Sequence, residues 1–395
     1  MARRIGFLPL GSSLWQAGTT YLENLLSAVT CAQTEARESG NEREDAKTVL
    51  FLPPSTSPVH LGHAPHLVDE IVPISFEPFA DVHSWKRCLV DQKIGAFFSR
   101  YGQHFEESWG VPRMGWIVDF QHIHLPEMTR PELLQKRDAA CRITADRAET
   151  VVVSSSDALN DLKNLDADAL SKAEILRPVA KIDANIYSID PSASANRFHL
   201  GSRFFFLPNQ IWKHKNHRTV IEALALLRER GCYPVVVCSG NTNDHRDPEY
   251  FSHLLEMIAR LGLREQMIFL GTIDHAQVLS LARQSLAVLN PSLFEGWSTT
   301  VEEAKSLGKA MILSDLAVHL EQDPPASHYF LARSPQSLAD ILAKVWLTGR
   351  EGPDFALEER ARQELAVRQR TFGRTFLAMV DRTFTRRVLG YARTA

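Results

Sequence analysis

Carboxylates, ammonium groups, hydroxyls and imidazoles are the groups that can do chemistry, and they are densest in Asn290-Pro-Ser-Leu-Phe-Glu295-Gly-Trp-Ser-Thr-Thr-Val-Glu302-Glu303-Ala-Lys-Ser-Leu-Gly-Lys309. An apolar strand ends where this run begins, a glycine-containing loop turns, and hydroxyl residues open a helix. The N–H groups of a first helical turn lack intrahelical acceptors and lie at the positive end of the macrodipole, so Ser298, Thr299 and Thr300 outline a site for a diphosphate. Glu295 sits in the loop and Glu303 about one turn into the helix, which leaves both carboxylates at one mouth. Carboxylates accept hydrogen bonds, a match for sugar and ribose hydroxyls. Thr299 and Glu302 also spell T-x-x-E, a capping box, which gives Glu302 a structural role. Spacing alone leaves Glu295 and Glu303 open between helix-start residues and ligand contacts.

Four other segments offer reactive or ligand-binding groups. Pro208-Asn-Gln-Ile-Trp-Lys213-His-Lys215-Asn-His217-Arg218 brings cations to the end of a strand, as either an anion site or a solvated helix start. Leu270-Gly271-Thr272-Ile273 ends another strand; Gly271 and Gly240 line a ligand cleft or serve as turn residues. Asp119-Phe-Gln-His122-Ile-His124-Leu-Pro126 carries two loop histidines, candidates for acid–base work or exposed side chains. Trp15-Gln-Ala-Gly18-Thr-Thr-Tyr21 leads into a helix, with Thr19 as its N-cap in the structural reading. Other chemistries are excluded by pattern. No G-x-G-x-x-G follows a strand, G-x-x-x-x-G-K-[ST] is absent, and the histidines show no H-E-x-x-H or similar ligand cluster, so no cofactor and no metal is expected.

The elements that must position these loops alternate in the βα manner. Strands are expected at 5–8, 49–52, 71–74, 96–99, 115–118, 151–154 and 174–176, then at 204–207, 235–238, 267–270, 286–290 and 310–313. Helical periodicity is clearest at 20–31, 131–148, 219–230, 249–261, 335–347 and 355–368. Residues 177–201, without a clear period, divide the two series. The expected fold class is α/β with two Rossmann-like α/β/α domains. The first covers 1–185, the second covers 198–368, and a further helix is expected at about 370–395. In such sheets ligands bind beyond the carboxyl ends of the strands, which predicts a site in a cleft bounded by both series.

Glu295 and Glu303 reproduce an E-x7-E motif, and E-G-W-S-T-T-V-E-E-A with the following S-L-G-K resembles the E-G-F-G-L-P-x-x-E-A and C-G-K-P pattern of family-4 retaining glycosyltransferases with the GT-B fold. The resemblance covers most of the second half and, more loosely, the first. It implies that Glu295 contacts the donor sugar and Glu303 the nucleotide ribose, with Gly296 and Trp297 among the donor-binding residues. The 208–218 segment resembles the family's G-R-L-x-x-x-K-N, which assigns Lys215 to the donor diphosphate. Gln210 stands where the family has Arg, and Lys213 is the candidate substitute. Gly271 and Ile273 fall in the segment that holds the base, Gly18 in the glycine loop of the first domain, and His122 in H-D-x-x-P with Ile123 replacing its Asp. The implied catalytic residues are His122, Glu295 and Lys215. The implied partners are a nucleotide-sugar donor and a saccharide or lipid-linked acceptor, and the implied activity is hexosyl or deoxyhexosyl transfer with retention in cell-surface polysaccharide synthesis. Rival readings are a GT-B epimerase or phosphorylase, and a non-catalytic two-lobed sugar-binding protein.

Length and composition agree with a folded globular protein of two or three domains: 395 residues, 44% hydrophobic and 23% charged. A net charge of -3 gives no reason to expect nucleic acid as a partner. Five scattered cysteines without C-x-x-C argue for a reducing compartment, and neither a membrane span nor a signal peptide is visible, so a cytoplasmic location is expected. Residues 362–393 hold eight arginines against Glu364 and Asp381, with Phe372, Phe376, Leu377, Val380, Phe384 and Val388 on an amphipathic helical spacing. The resemblance implies that this helix crosses back and packs on the first domain; the rival reading is peripheral attachment to the anionic inner face of a membrane.

Overall fold

The computed structural model describes residues 3–11, 15–38, 40, 46–57, 61–102 and 108–394. These divide into two compact units: one from Met1–His122, Pro131–Lys181 and Ala366–Ala395, the other from Ile123–Arg130 and Ile182–Leu365.

In the first unit the strands are β1 (Arg3–Phe7), β2 (Ala46–Leu52), β3 (Glu70–Pro73), β4 (Ala96–Arg100), β5 (Arg113–Trp116), β6 (Thr150–Val153) and β7 (Ala173–Ile175). They pair in parallel in the order β3-β2-β1-β4-β5-β6-β7. β4, β5 and β6 are short runs with almost no exposed side chain, as expected of strands covered by helices on both faces. On one side Phe51, Trp85, Phe97 and Trp109 meet edge to face, with centroids 5.0 to 5.9 Å apart. The first helix runs Gln16–Glu38, four residues earlier than its periodicity predicts. Thr19 therefore lies inside the helix and is not its N-cap, and Gly18 sits in the first turn and not in a preceding loop.

The second unit holds β8 (Phe205–Leu207), β9 (Val236–Cys238), β10 (Met267–Phe269), β11 (Val288–Asn290), β12 (Met311–Ser314) and β13 (Ser327–Phe330). All neighbours are parallel, in the order β10-β9-β8-β11-β12-β13. Both sheets thus follow the doubly wound, Rossmann-like order, with the direction of winding reversed between β1 and β4 and between β8 and β11. The second core joins Phe205 and Leu207 to Val220, Leu224 and Leu227 of helix His217–Glu229 and to Leu338 and Leu342 of helix Pro335–Thr348. β13 is an edge strand that sequence analysis does not find, because Ser-His-Tyr-Phe lacks β-branched residues and is only partly covered.

The segments expected as two separate C-terminal helices form one helix, Phe355–Thr394. No proline or glycine pair interrupts it, and Gly373 is tolerated at a close crossing, where an added Cβ would lie 2.0 Å from Ala28 O. From Ala366 onward this helix counts with the first unit. Phe376 packs 6.0 Å from Phe7 and 5.5 Å from Phe98, centroid to centroid. Its arginines meet acids of that unit: Arg382 and Arg386 pair with Glu174, and Arg387 pairs with Glu149 at 2.6 Å. Val388 and Arg393 lie where side chains are outside the described set. No described helix is long and apolar enough to cross a membrane.

Candidate active site

The polar residues just beyond β8 and β11, at the reversal of the second sheet, converge. β11 reads Val288-Leu289-Asn290, two apolar residues and then an amide at the strand's end, and Asn290 is fully buried. A buried amide must find partners, and Asn290 finds them on both sides. Its Oδ1 accepts from Asn209 Nδ2 at 3.1 Å, and its Nδ2 donates to Ser298 Oγ at 2.7 Å. Thr300 Oγ1 in turn donates to Asn209 Oδ1 at 3.0 Å. The loops after the two strands are thereby tied into one polar layer.

Above this layer stands the Lys215–Glu295 pair. Lys215 Nζ donates to Glu295 Oε1 at 2.6 Å, with side chains 15% and 9% exposed. Ser292 Oγ approaches the same oxygen at 2.6 Å and Asn290 Nδ2 approaches it at 3.5 Å. Among the described residues every hydrogen bond to Glu295 falls on Oε1. Lys215 spends one of its three N–H donors on it. The pair is held by Asn216, which takes φ 60°, a left-handed conformation that asparagine tolerates better than most side chains. Its Nδ2 donates to Pro291 O and to Ala332 O at 3.0 Å, and Leu293 N donates to His214 O at 2.8 Å, so the Lys215 and Glu295 loops are stitched together.

The helix start differs from the sequence expectation. Helix Thr299–Ser306 has Ser298 as its N-cap, whose Oγ accepts from Val301 N at 3.4 Å. The Thr299–Glu302 capping box does not form. Glu302 is buried and accepts at Oε1 from Gln322 Nε2 at 3.1 Å, while Gln322 Oε1 accepts from Ser298 N at 3.2 Å and Gln322 Nε2 also donates to Ser298 O at 2.9 Å. Of the three residues outlined for a diphosphate, Ser298 and Thr300 thus turn their hydroxyls inward. What the helix start offers outward is Thr299, which is exposed, together with first-turn N–H groups that no intrahelical carbonyl reaches. Gly296 and Trp297 are half-buried in the same loop.

The remaining predicted residues fall in both units. Lys213 does not join Lys215; its Nζ pairs with Asp247 at 3.3 Å. Gln210 Oε1 accepts from Asn241 N at 2.7 Å. Gly271 O accepts from Gly240 N at 2.8 Å, and Gly240, at φ 147°, passes so close to β8 that an added Cβ would lie 2.4 Å from Asn209 O. These contacts tie the base-segment candidate Gly271, through Gly240, to the loop after β8. Glu303 accepts from His275 Nε2 at 2.8 Å through Oε1, with the carboxylate 14% exposed. His122 is buried and belongs to the first unit, whereas the second unit's share of that segment begins at Ile123. His124, not His122, is in the second unit, 5.1 Å from the ring of Phe294. Gly18, in the first unit, is enclosed by Trp15 and Leu10 O, 2.4 and 2.6 Å from where a Cβ would stand.

Sequence reasoning misses Asn209, Asn290, Ser292, Gln322 and His275. Asn290 had a visible signal, an amide closing an apolar strand. Gln322 and His275 had none, since tertiary packing alone brings them to the site. Two buried histidines complete the surroundings. Burial pushes His217 down to about 3, helped by Lys215. His319 donates from Nδ1 to Ser314 O at 2.9 Å, and burial holds it below its ordinary value although Glu295 pulls the other way. No three His, Cys, Asp or Glu side chains among the described residues group as they would around a metal ion.

Residues 190–362 match the glycosyl transferases group 1 family model. No curated protein sequence matches the chain. Three solved structures align along almost the whole molecule. A glycosyltransferase from Rickettsia africae matches with TM-score 0.67 at 12% identity, covering 97% of this chain and 98% of that one. Sucrose-phosphate synthase from Thermosynechococcus elongatus matches with TM-score 0.65 at 14% identity, covering 99% and 100%. HepE from Anabaena, solved with UDP and glucose, matches with TM-score 0.62 at 16% identity, covering 100% of both chains. The chain has the GT-B fold. The matched family region contains Lys215, Glu295 and Glu303, so the polar centre described above lies within it.

Proposed function

We propose that this protein is a retaining glycosyltransferase of the family-4 type, which moves a hexosyl or deoxyhexosyl unit from a nucleotide-sugar donor to a hydroxyl of a saccharide or lipid-linked acceptor. The observation that carries the reading is the Lys215–Glu295 pair beyond β8 and β11, beside the first turn of helix Thr299–Ser306. Lys215 keeps two N–H donors for phosphate oxygens, and the first-turn amides add fixed positive potential. As the bond from the anomeric carbon to the diphosphate breaks, negative charge grows on the leaving oxygen, and donors already in position stabilise it more than they stabilise the bound substrate. Glu295 Oε2 accepts from a hydroxyl of the transferred sugar, Glu303 accepts from the ribose, and the backbone around Gly271 and Ile273 receives the base. No step calls for a metal. The setting is cytoplasmic synthesis of a cell-surface polysaccharide.

The test is incubation of the full chain with a panel of nucleotide sugars, followed by thermal shift and then by assay for transfer to saccharide acceptors. A stabilising donor whose sugar appears on the acceptor with its anomeric configuration kept is the expected result. Epimerised or phosphorolysed sugar without transfer would overturn the reading, as would binding of free sugar with no response to any nucleotide.

A further inference from the structure

Glu295 can present Oε2 to a sugar only if Oε1 is anchored. Lys215 is one anchor, but under the proposed function the same ammonium gives its two other N–H donors to the diphosphate. A second anchor is needed that has no duty to the ligand. Ser292 meets the requirement. It is fully buried, its Oγ lies 2.6 Å from Glu295 Oε1 and 2.7 Å from Asn290 Oδ1, and it has a single hydrogen to give. The carboxylate is the stronger acceptor because it is charged, and 2.6 Å is the length of an O–H···O⁻ bond. Asn290 Oδ1 already accepts from Asn209 Nδ2 and does not depend on Ser292.

The backbone of Ser292 is itself fixed. Ser314 Oγ, at the end of β12, donates to Ser292 O at 2.7 Å, and Ser292 follows Pro291, whose carbonyl takes Asn216 Nδ2. The hydroxyl is thus mounted on the sheet end and not on a side chain that also serves the ligand.

We propose that Ser292 is the positioning residue of Glu295: it holds Oε1 while Lys215 serves the departing diphosphate, so that Oε2 keeps its direction toward the transferred sugar. This rests on the reading of Glu295 as the sugar contact. The role is to orient a group whose contacts tighten in the transition state, so its loss falls on kcat and not on the binding of the nucleotide moiety.

The experiment is a double-mutant cycle on transfer activity, using the donor found by the panel above and, for binding, the nucleoside diphosphate that corresponds to it. Ser292→Ala should lower kcat by about 10- to 150-fold, the range for a hydrogen bond to a charged group, with the Kd of the nucleoside diphosphate within about twofold of the parent. In a Glu295→Gln background the same change should cost little further activity, and Ser292→Thr, which keeps the hydroxyl, should recover most of the loss. Full activity in Ser292→Ala overturns the proposal. So does an equal loss in both backgrounds, or a parallel loss of nucleoside diphosphate binding, since either marks a general packing defect. If Glu295→Gln alone leaves kcat intact, the sugar contact itself falls, a result distinct from a failure of Ser292 alone.

Discussion

At the residue scale, the two carboxylates of the E-x7-E motif sit in different surroundings, and those surroundings separate their effects. Glu295 is nearly buried and tied to Lys215, whereas Glu303 pairs with the half-exposed His275. A sugar contact changes as the anomeric centre flattens; a ribose contact does not. Glu295→Gln should therefore depress kcat, and Glu303→Gln should mainly raise donor KM, each by about 10- to 150-fold for a lost charged hydrogen bond, as steady-state kinetics will report. Lys215 and Lys213 separate likewise. Lys213 faces Asp247, so Lys213→Ala should change nucleoside diphosphate affinity little, while Lys215→Ala should weaken it about tenfold or more in calorimetric titration. Equal effects of the two lysine variants would remove the assignment of Lys215. Glu302 is no neutral control for these comparisons, because its carboxylate is buried on Gln322 and braces the N-cap Ser298.

At the element scale, what was legible in the sequence was what short-range pattern encodes. Apolar runs such as 151–154 and 204–207 lie within one residue of their strands, and helix 335–348 starts at Pro335 after the N-cap Ser334, as its residues predict. Edge strand β13 and the partners of Ser298 were not legible, because they depend on neighbours distant in the chain: Gln322 reaches Ser298 across 24 positions. The C-terminal helix shows the same division. Its amphipathic spacing was readable, but its continuity through Gly373 and the pairing of its arginines with Glu149 and Glu174 were not. Those pairs draw Arg386 and Arg387 to the protein's own acids and favour packing over membrane attachment. Phe376→Ala should accordingly destabilise the protein by about 3 to 5 kcal/mol in urea titration, the usual cost of deleting a fully buried phenylalanine. Salt-sensitive sedimentation with anionic vesicles, lost in Arg386→Ala and Arg387→Ala, would instead revive the membrane role.

At the scale of the whole molecule, the buried histidines couple stability to pH. His217 opens helix His217–Glu229 with no solvent contact, beside Phe269 and close to Lys215, and burial pushes its imidazole down to about 3. The unfolded chain takes up a proton on that ring near its ordinary 6.5, whereas the folded chain does not until about 3. Between those values the unfolded state binds more protons, so folding stability falls as pH drops from 6.5 and levels off below about 3. Two pH units below the ordinary value, at about pH 4.5, the loss from this ring alone is roughly 2.7 kcal/mol at 1.36 kcal/mol per unit. His319 acts with the same sign, since burial lowers it too. Carboxylates that are ion-paired in the folded state also weaken it in acid, but they do so equally in a variant that lacks only His217. The comparison that isolates the effect is therefore the urea midpoint of the parent and of His217→Leu at pH 7 and at pH 4.5. The parent should lose about 2.5 kcal/mol more than the variant over that interval. An equal loss in both would mean that the ring is protonated in the folded protein, and the packing of the Lys215 loop against the core at His217 would have to be redrawn.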